Sequence, residues 1–130
     1  KVVLEEGVTS IDSNSFYFCN GLTDMKIPNS VSSLGESVFY RCTSLENVII
    51  GNGVDCVTTG LFSGCTGLAN LTIGKNVKSI KSSAFSYCSW LSNITYLGSV
   101  DEWNDIEKSD GWANSLKSYT IHCSDGILTK

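Results

Sequence analysis

The chain has 130 residues, of which 42% are hydrophobic and 17% charged, and a net charge of −4; that is one domain with enough apolar material for a core. A mildly acidic chain lacks the basic surface that nucleic acid or an anionic membrane demands. No apolar run approaches the roughly 18 residues needed to cross a bilayer, so neither a nucleic-acid partner nor membrane insertion is expected.

The chain opens at Lys1 without Met or a visible signal peptide, and it enters partway through a pattern. It therefore reads as a piece of a longer or processed chain. Val2 and Leu4 match the last two apolar positions of a unit that then recurs. Phenylalanines stand at 16, 39, 62 and 85, cysteines at 19, 42, 65 and 88, and leucines at 22, 45, 68 and 91. Each series advances by 23 residues, and three unrelated residue types keeping one period through four copies identifies an internal repeat. Further columns follow with aliphatic exchange: Val8, Val31, Val54 and Val77; Ile11, Leu34, Val57 and Ile80; Met25, Val48, Leu71 and Ile94; Ile27, Ile50, Ile73 and Tyr96.

Within each unit, the pair ending in Ile27, Ile50, Ile73 or Tyr96 alternates apolar with polar, which is strand periodicity. So short a strand buries little alone, but stacked beside its copy about 4.8 Å away it gains a parallel ladder and a continuous core. The segment from Val31 to Leu34 and its equivalents suits a bend or a second short strand. The stretch before each Phe, such as Ser82-Ser83-Ala84-Phe85, suits a tight helical turn, since four residues are too few for a full α-helix.

These residues closely resemble BspA-like leucine-rich repeats, the short-period type found in bacterial surface proteins and some protozoan ones. The segment from Leu22 through Met25, Ile27, Pro28 and Val31 to Leu34-Gly35, Phe39 and Cys42 carries the likeness. Later copies repeat it at Leu68, Ile73, Val77, Ile80, Ala84, Phe85 and Cys88. The likeness covers Lys1 to about Tyr96. Only one copy keeps the Pro, where Gly51, Gly74 and Leu97 stand in the others, and Val57-Thr58 departs from the Ile-Gly pair. The resemblance implies an α/β, strand-rich leucine-rich repeat solenoid with one parallel strand per repeat and short helical turns; the residues beyond it add a C-terminal α-helical cap. It also implies a secreted or cell-surface protein that binds host matrix, cells or proteins, and it brings no catalytic residues and no cofactor. Repeats are expected over residues 1–97 and a cap over 98–130.

After Leu97 the period breaks. Ser99-Val100-Asp101-Glu102 is a capping-box pattern, and Val100, Trp103 and Ile106 share one helical face. A helix is expected over 100–107, a turn or short helix near 112–116, and a strand near 119–123. Trp103 and Trp112 are suited to cover the apolar end that a last rung would otherwise expose. No equivalent cap precedes Val2, so upstream repeats or another domain are expected there.

The cysteine column admits three readings. A metal site fails, because one His and no C-x-x-C pair give no closed tetrahedral set. Disulfides are within reach between neighbouring copies, but side chains in register and pointing the same way lack the crossed geometry of a bridge. Buried thiols acting as small core hydrophobes fit best for Cys19, Cys42, Cys65 and Cys88. Cys56 replaces Ser10, Ser33 and Ser79 in its column and is expected to be partly exposed; Cys123 belongs to the cap strand.

The solvent-facing strand positions are Asp24, Asn47, Asn70 and Asn93, and then Lys26, Ile49, Thr72 and Thr95, with Val3 one step earlier. This is the expected binding face, for a protein or a cell-surface or matrix ligand. The plainer alternative is that the Asn and Thr columns only solvate the sheet or bond one another along the ladder. Asn70-Leu71-Thr72 and Asn93-Ile94-Thr95 also read as glycosylation sequons whose shared register comes from the repeat. No nucleophile–base pair, phosphate loop, dinucleotide fingerprint or zinc motif occurs, and the acids of 101–110 do not follow calcium-loop spacing. Two functions remain from the sequence: an extracellular interaction module, or a passive spacer displaying another domain.

Overall fold

The computed structural model describes residues 2–130. Its main sheet has six strands. Four come one per repeat: β2 (Asp24–Ile27), β4 (Asn47–Ile50), β6 (Asn70–Ile73) and β8 (Asn93–Tyr96). All four are parallel and in register, so that Met25, Val48, Leu71 and Ile94 stack as one row. A shift of one residue would turn every apolar side chain outward, and the strict alternation of burial fixes the register against that.

A second edge of each coil carries two-residue strands: β1 (Ser10–Ile11), β3 (Ser33–Leu34), β5 (Cys56–Val57) and β7 (Ser79–Ile80). β1 pairs with β3, and β5 with β7. The ladder lapses between β3 and β5, at the copy that departs from the Ile-Gly pair. There the Thr58 hydroxyl donates to the Gly35 carbonyl at 2.7 Å and links the two coils instead.

The turn carrying each phenylalanine links coils in its own way. The N–H groups of Asn14, Phe16 and Phe18 donate to the carbonyls of Glu36, Val38 and Tyr40. Ser37, Phe39 and Arg41 then donate to Thr59, Leu61 and Ser63, and Gly60, Phe62 and Gly64 to Ser82, Ala84 and Ser86. Presenting alternate N–H groups to the next coil requires left-handed backbone on either side of the Phe. Asn14, Ser37, Gly60 and Ser83 have φ of 62, 53, 67 and 58°, and Phe18, Arg41, Gly64 and Tyr87 have φ of 59, 55, 80 and 63°. The i→i+3 bonds of these turns, such as Cys19 to Phe16 and Cys88 to Phe85, do not wind on as helix because the left-handed residues interrupt them.

The core is one cluster. Phe16, Phe39, Phe62 and Phe85 stack with ring centroids 5.5, 5.6 and 6.0 Å apart and planes within 10°. Behind them, the thiols of Cys42, Cys65 and Cys88 donate to the carbonyls of Phe16, Phe39 and Phe62 at 3.0–3.1 Å. All six cysteines are free. Cys42, Cys65 and Cys88 are fully buried as expected, whereas Cys19 is half-buried.

The cap begins with α1 (Val100–Asp105). The Ser99 hydroxyl accepts from the Glu102 N–H and the Glu102 carboxylate accepts from the Ser99 N–H, so the predicted capping box is formed. The helix stops two residues short of expectation. Ile106 is already extended, and Glu107–Lys108 leaves as β9 to pair with β7. The Lys108 ammonium folds back to donate to the carbonyls of Trp103 and Ile106 at 2.8 and 3.1 Å, near the negative end of the helix. A turn spans 110–115, and β10 (Thr120–Cys123) adds a fifth parallel rung beside β8. A strand absent from the sequence reading, β11 (Gly126–Thr129), then pairs antiparallel with β10 and covers its edge.

Candidate functional site

Parity puts each predicted binding residue on the outer face of the main sheet. Asp24, Lys26, Asn47, Ile49, Asn70 and Asn93 are exposed, and Thr72 and Thr95 are half-buried. The two columns differ in their occupation. In the first, the Asn47 amide donates to the Asp24 carboxylate at 2.9 Å and the Asn70 amide donates to Asn47 at 3.0 Å. These side chains bond one another across three rungs.

The second column runs Lys26, Ile49, Thr72, Thr95 and His122, with Ile127 opposite His122 on β11. It begins with a cation, continues through an exposed isoleucine and two hydroxyls, and ends on an imidazole beside a second exposed isoleucine. Ile49 is 45% exposed in the middle of a regular sheet, and Ile127 is 64% exposed. At the β2 end, Val2, Val3 and Leu4 line a hollow of about 340 Å³ together with Asp24, Met25, Lys26, Asn47 and Ile49. Val2–Leu4 do not join the hydrogen-bonded ladder, which ends at β2. The expected continuation of the strand columns to Val2, Val3 and Leu4 is therefore not met: these residues lie beside β2 without pairing with it.

A second exposed cluster lies on the phenylalanine turns, at positions that sequence reasoning did not single out. Tyr17, Phe18, Tyr87 and Trp90 are largely exposed there. The Tyr17 and Tyr40 rings stack at 4.9 Å and 12°, and the Arg41 guanidinium lies 5.6 Å from the Tyr40 ring and 5.9 Å from the Phe18 ring.

Among the described residues, no group of three or more His, Cys, Asp or Glu is placed to hold a metal ion. No helix among the described residues is long and apolar enough to cross a membrane. Burial raises the thiols of Cys42 and Cys88 to about 11 and about 12, and Cys65 shifts the same way. Such thiols stay protonated at neutral pH and are inert as nucleophiles.

Residues 1–106 match the family model for the BspA type leucine rich repeat region, in six copies. No curated protein matches the chain. Among solved structures, a leucine rich cell surface protein from Faecalibacterium prausnitzii A2-165 is 28% identical, with a TM-score of 0.61 over 85% of this chain and 35% of its own. A leucine-rich repeat protein from Eubacterium ventriosum is 24% identical, with a TM-score of 0.71 over 94% of this chain and 34% of its own. The leucine rich repeat protein of T. pallidum is 24% identical, with a TM-score of 0.50 over 72% and 56%. The chain thus spans about a third of the length of the first two.

Proposed function

The chain belongs to the BspA-type leucine-rich repeat family, and from that premise we propose that it is a non-catalytic, protein-binding module of a secreted or cell-surface protein. In this reading residues 1–97 form the recognition repeats and 98–130 close the stack. The recognition surface is the outer column of the main sheet: Lys26, Ile49, Thr72 and Thr95, flanked by the Asp24, Asn47, Asn70 and Asn93 column. The observation that carries the proposal is Ile49, an exposed aliphatic side chain at a solvent-facing position, opening onto the hollow walled by Val2 and Val3. An apolar patch rimmed by Lys26 and Asp24 has the make-up of a protein-contact surface, in which an apolar centre supplies affinity and a charged rim supplies orientation.

The cell-surface assignment draws on the Faecalibacterium relative, which is described as a cell surface protein. Adhesion to host matrix or host cells is the role that fits such a location. A passive spacer is the competing reading, favoured by the side-chain ladder from Asp24 through Asn47 to Asn70, in which the exposed groups bond one another.

Binding of the protein to immobilised matrix proteins and to cell surfaces separates the two. Ile49→Asp combined with Lys26→Glu should lower binding at least tenfold with an unchanged melting curve. Equal binding by parent and double variant would favour the spacer.

A further inference from the structure

The cluster on the phenylalanine turns contains a slot built by a break in the repeat. The third copy has Gly64 where its neighbours carry Arg41 and Tyr87, one coil to either side. With no side chain between them, a cavity of about 250 Å³ opens, lined by Tyr40, Arg41, Thr43, Ser63, Thr66 and Tyr87 around Gly64. The emptiness is not merely a missing side chain. A Cβ at Gly64 would lie 2.7 Å from the Arg41 Cγ, and its φ of +80° suits glycine. The glycine therefore both opens the slot and lets the arginine stem lie across it.

Three chemistries converge on this slot. The first is a single guanidinium. Arg41 is the only arginine of the chain. It is exposed, and the groups that act on it are the phenols of Tyr40, Tyr17 and Tyr87, with no carboxylate among them. Its guanidinium lies over the Tyr40 and Phe18 rings, Arg41 also lines the slot, and its planar fork matches a carboxylate. The second is the exposed Tyr87 ring. The electron-rich face of such a ring attracts the weakly positive C–H face of a sugar. The third is a set of hydroxyls, on Thr43, Ser63 and Thr66, which donate and accept as sugar hydroxyls do.

We propose that this slot binds the terminal carboxylate-bearing sugar of a glycan, with Arg41 gripping the carboxylate and Tyr87 stacking on the ring. The size of the cavity suits one sugar ring and not an extended polymer. The net charge of −4 repels a polyanion more strongly than a single acidic sugar. The surface lies on the turn side of the coils, away from Ile49 and Lys26, so it stands independently of the strand-face reading.

The test titrates the protein with 3′-sialyllactose, lactose, acetate and a short peptide with a free C-terminal carboxylate, read by calorimetry or ligand-observed NMR. The expected result is saturable sialyllactose binding at millimolar or tighter concentration, with lactose and acetate at least tenfold weaker. Arg41→Gln should reduce sialyllactose affinity at least tenfold. Tyr87→Gly should do the same while suiting its left-handed backbone, so it remains folded. The Ile49→Asp, Lys26→Glu variant should bind the sugar as the parent does. Lack of saturation at roughly 10 mM, equal binding of acetate, preference for the peptide, or unchanged affinity in folded Arg41→Gln would each overturn the proposal.

Discussion

The indole of Trp112 meets the Phe85 ring edge-on, with centroids 6.1 Å apart and planes at 68°. Four coils of parallel-stacked phenylalanines end at this contact. A fifth phenylalanine in the same orientation would expose another flat apolar face, whereas a ring turned on edge closes the column. Trp112 then passes the contact on to Trp103 at 5.8 Å and to Tyr119 at 5.6 Å. Trp112→Ala should therefore destabilise the whole stack by roughly 3 kcal/mol, the lower end of the range for a truncated core aromatic, because the indole is only half-buried. Urea unfolding with an unchanged midpoint would contradict its role as the closing residue.

Position along the column should set the size of the loss. Phe62 has a stacked ring on both faces and is fully buried, whereas Phe16 has a stacked neighbour on one side and is half-buried. Phe62→Ala should cost roughly 3–5 kcal/mol, enough to unfold a domain of marginal stability. Phe16→Ala should cost clearly less. Equal shifts in denaturation midpoint for the two variants would show that burial along the row does not grade stability as the geometry requires.

What was legible in the sequence was whatever repeats. Phe39 and Cys42 announce their place in the core because residues 23 positions away do the same work, and the alternation of Lys26 with Met25 and Ile27 assigns a face. The left-handed positions escaped that logic. Asn14, Ser37, Gly60 and Ser83 share one backbone conformation, yet only one of the four is a glycine. Gly60 and Gly64 were the available signal. The aromatic slot escaped for the opposite reason: the series Phe18, Arg41, Gly64 and Tyr87 shares a backbone but no side-chain chemistry, so self-comparison averages it away. β11 was hidden in a segment too short to show a period, although Asp125-Gly126 after an alternating run is a hairpin signal.

The buried thiols make stability fall in alkali. In the unfolded chain a thiol loses its proton near 9, whereas in the fold Cys42 holds it to about 11 and Cys88 to about 12. Above pH 9 the native state therefore binds more protons than the unfolded one, so stability drops as pH rises, by up to about 1.4 kcal/mol per pH unit for each thiol. Lys108 opposes this trend, since burial lowers its pKa and favours the fold as pH rises. The contrast that isolates the thiols is Cys88→Ala, whose urea midpoint should fall less between pH 8.5 and pH 10.5 than the parent's. Parallel losses in the two proteins would refute the linkage. At neutral pH a thiol reagent should modify Cys19, Cys56 and Cys123 in the folded protein, and Cys42, Cys65 and Cys88 only after unfolding.

Ser83 offers the cleanest test of the left-handed turns. Its φ is 58° and its side chain is exposed, so glycine there removes a steric penalty without removing a core contact. An L-residue in this region costs roughly 1–2 kcal/mol, and glycine returns part of that to the unfolded chain as extra freedom. Ser83→Gly should thus stabilise the fold by a net amount of about 0.5 kcal/mol. Gly60 occupies the same column one coil earlier, with a φ of +67°, and a Cβ there would meet the Ser37 Oγ at 2.8 Å. Gly60→Val should consequently destabilise by at least about 2 kcal/mol, since a β-branched residue is the poorest fit to positive φ. Thermal melts of the two variants should move in opposite directions. Movement in the same direction would mean that the turn column is not held left-handed in solution.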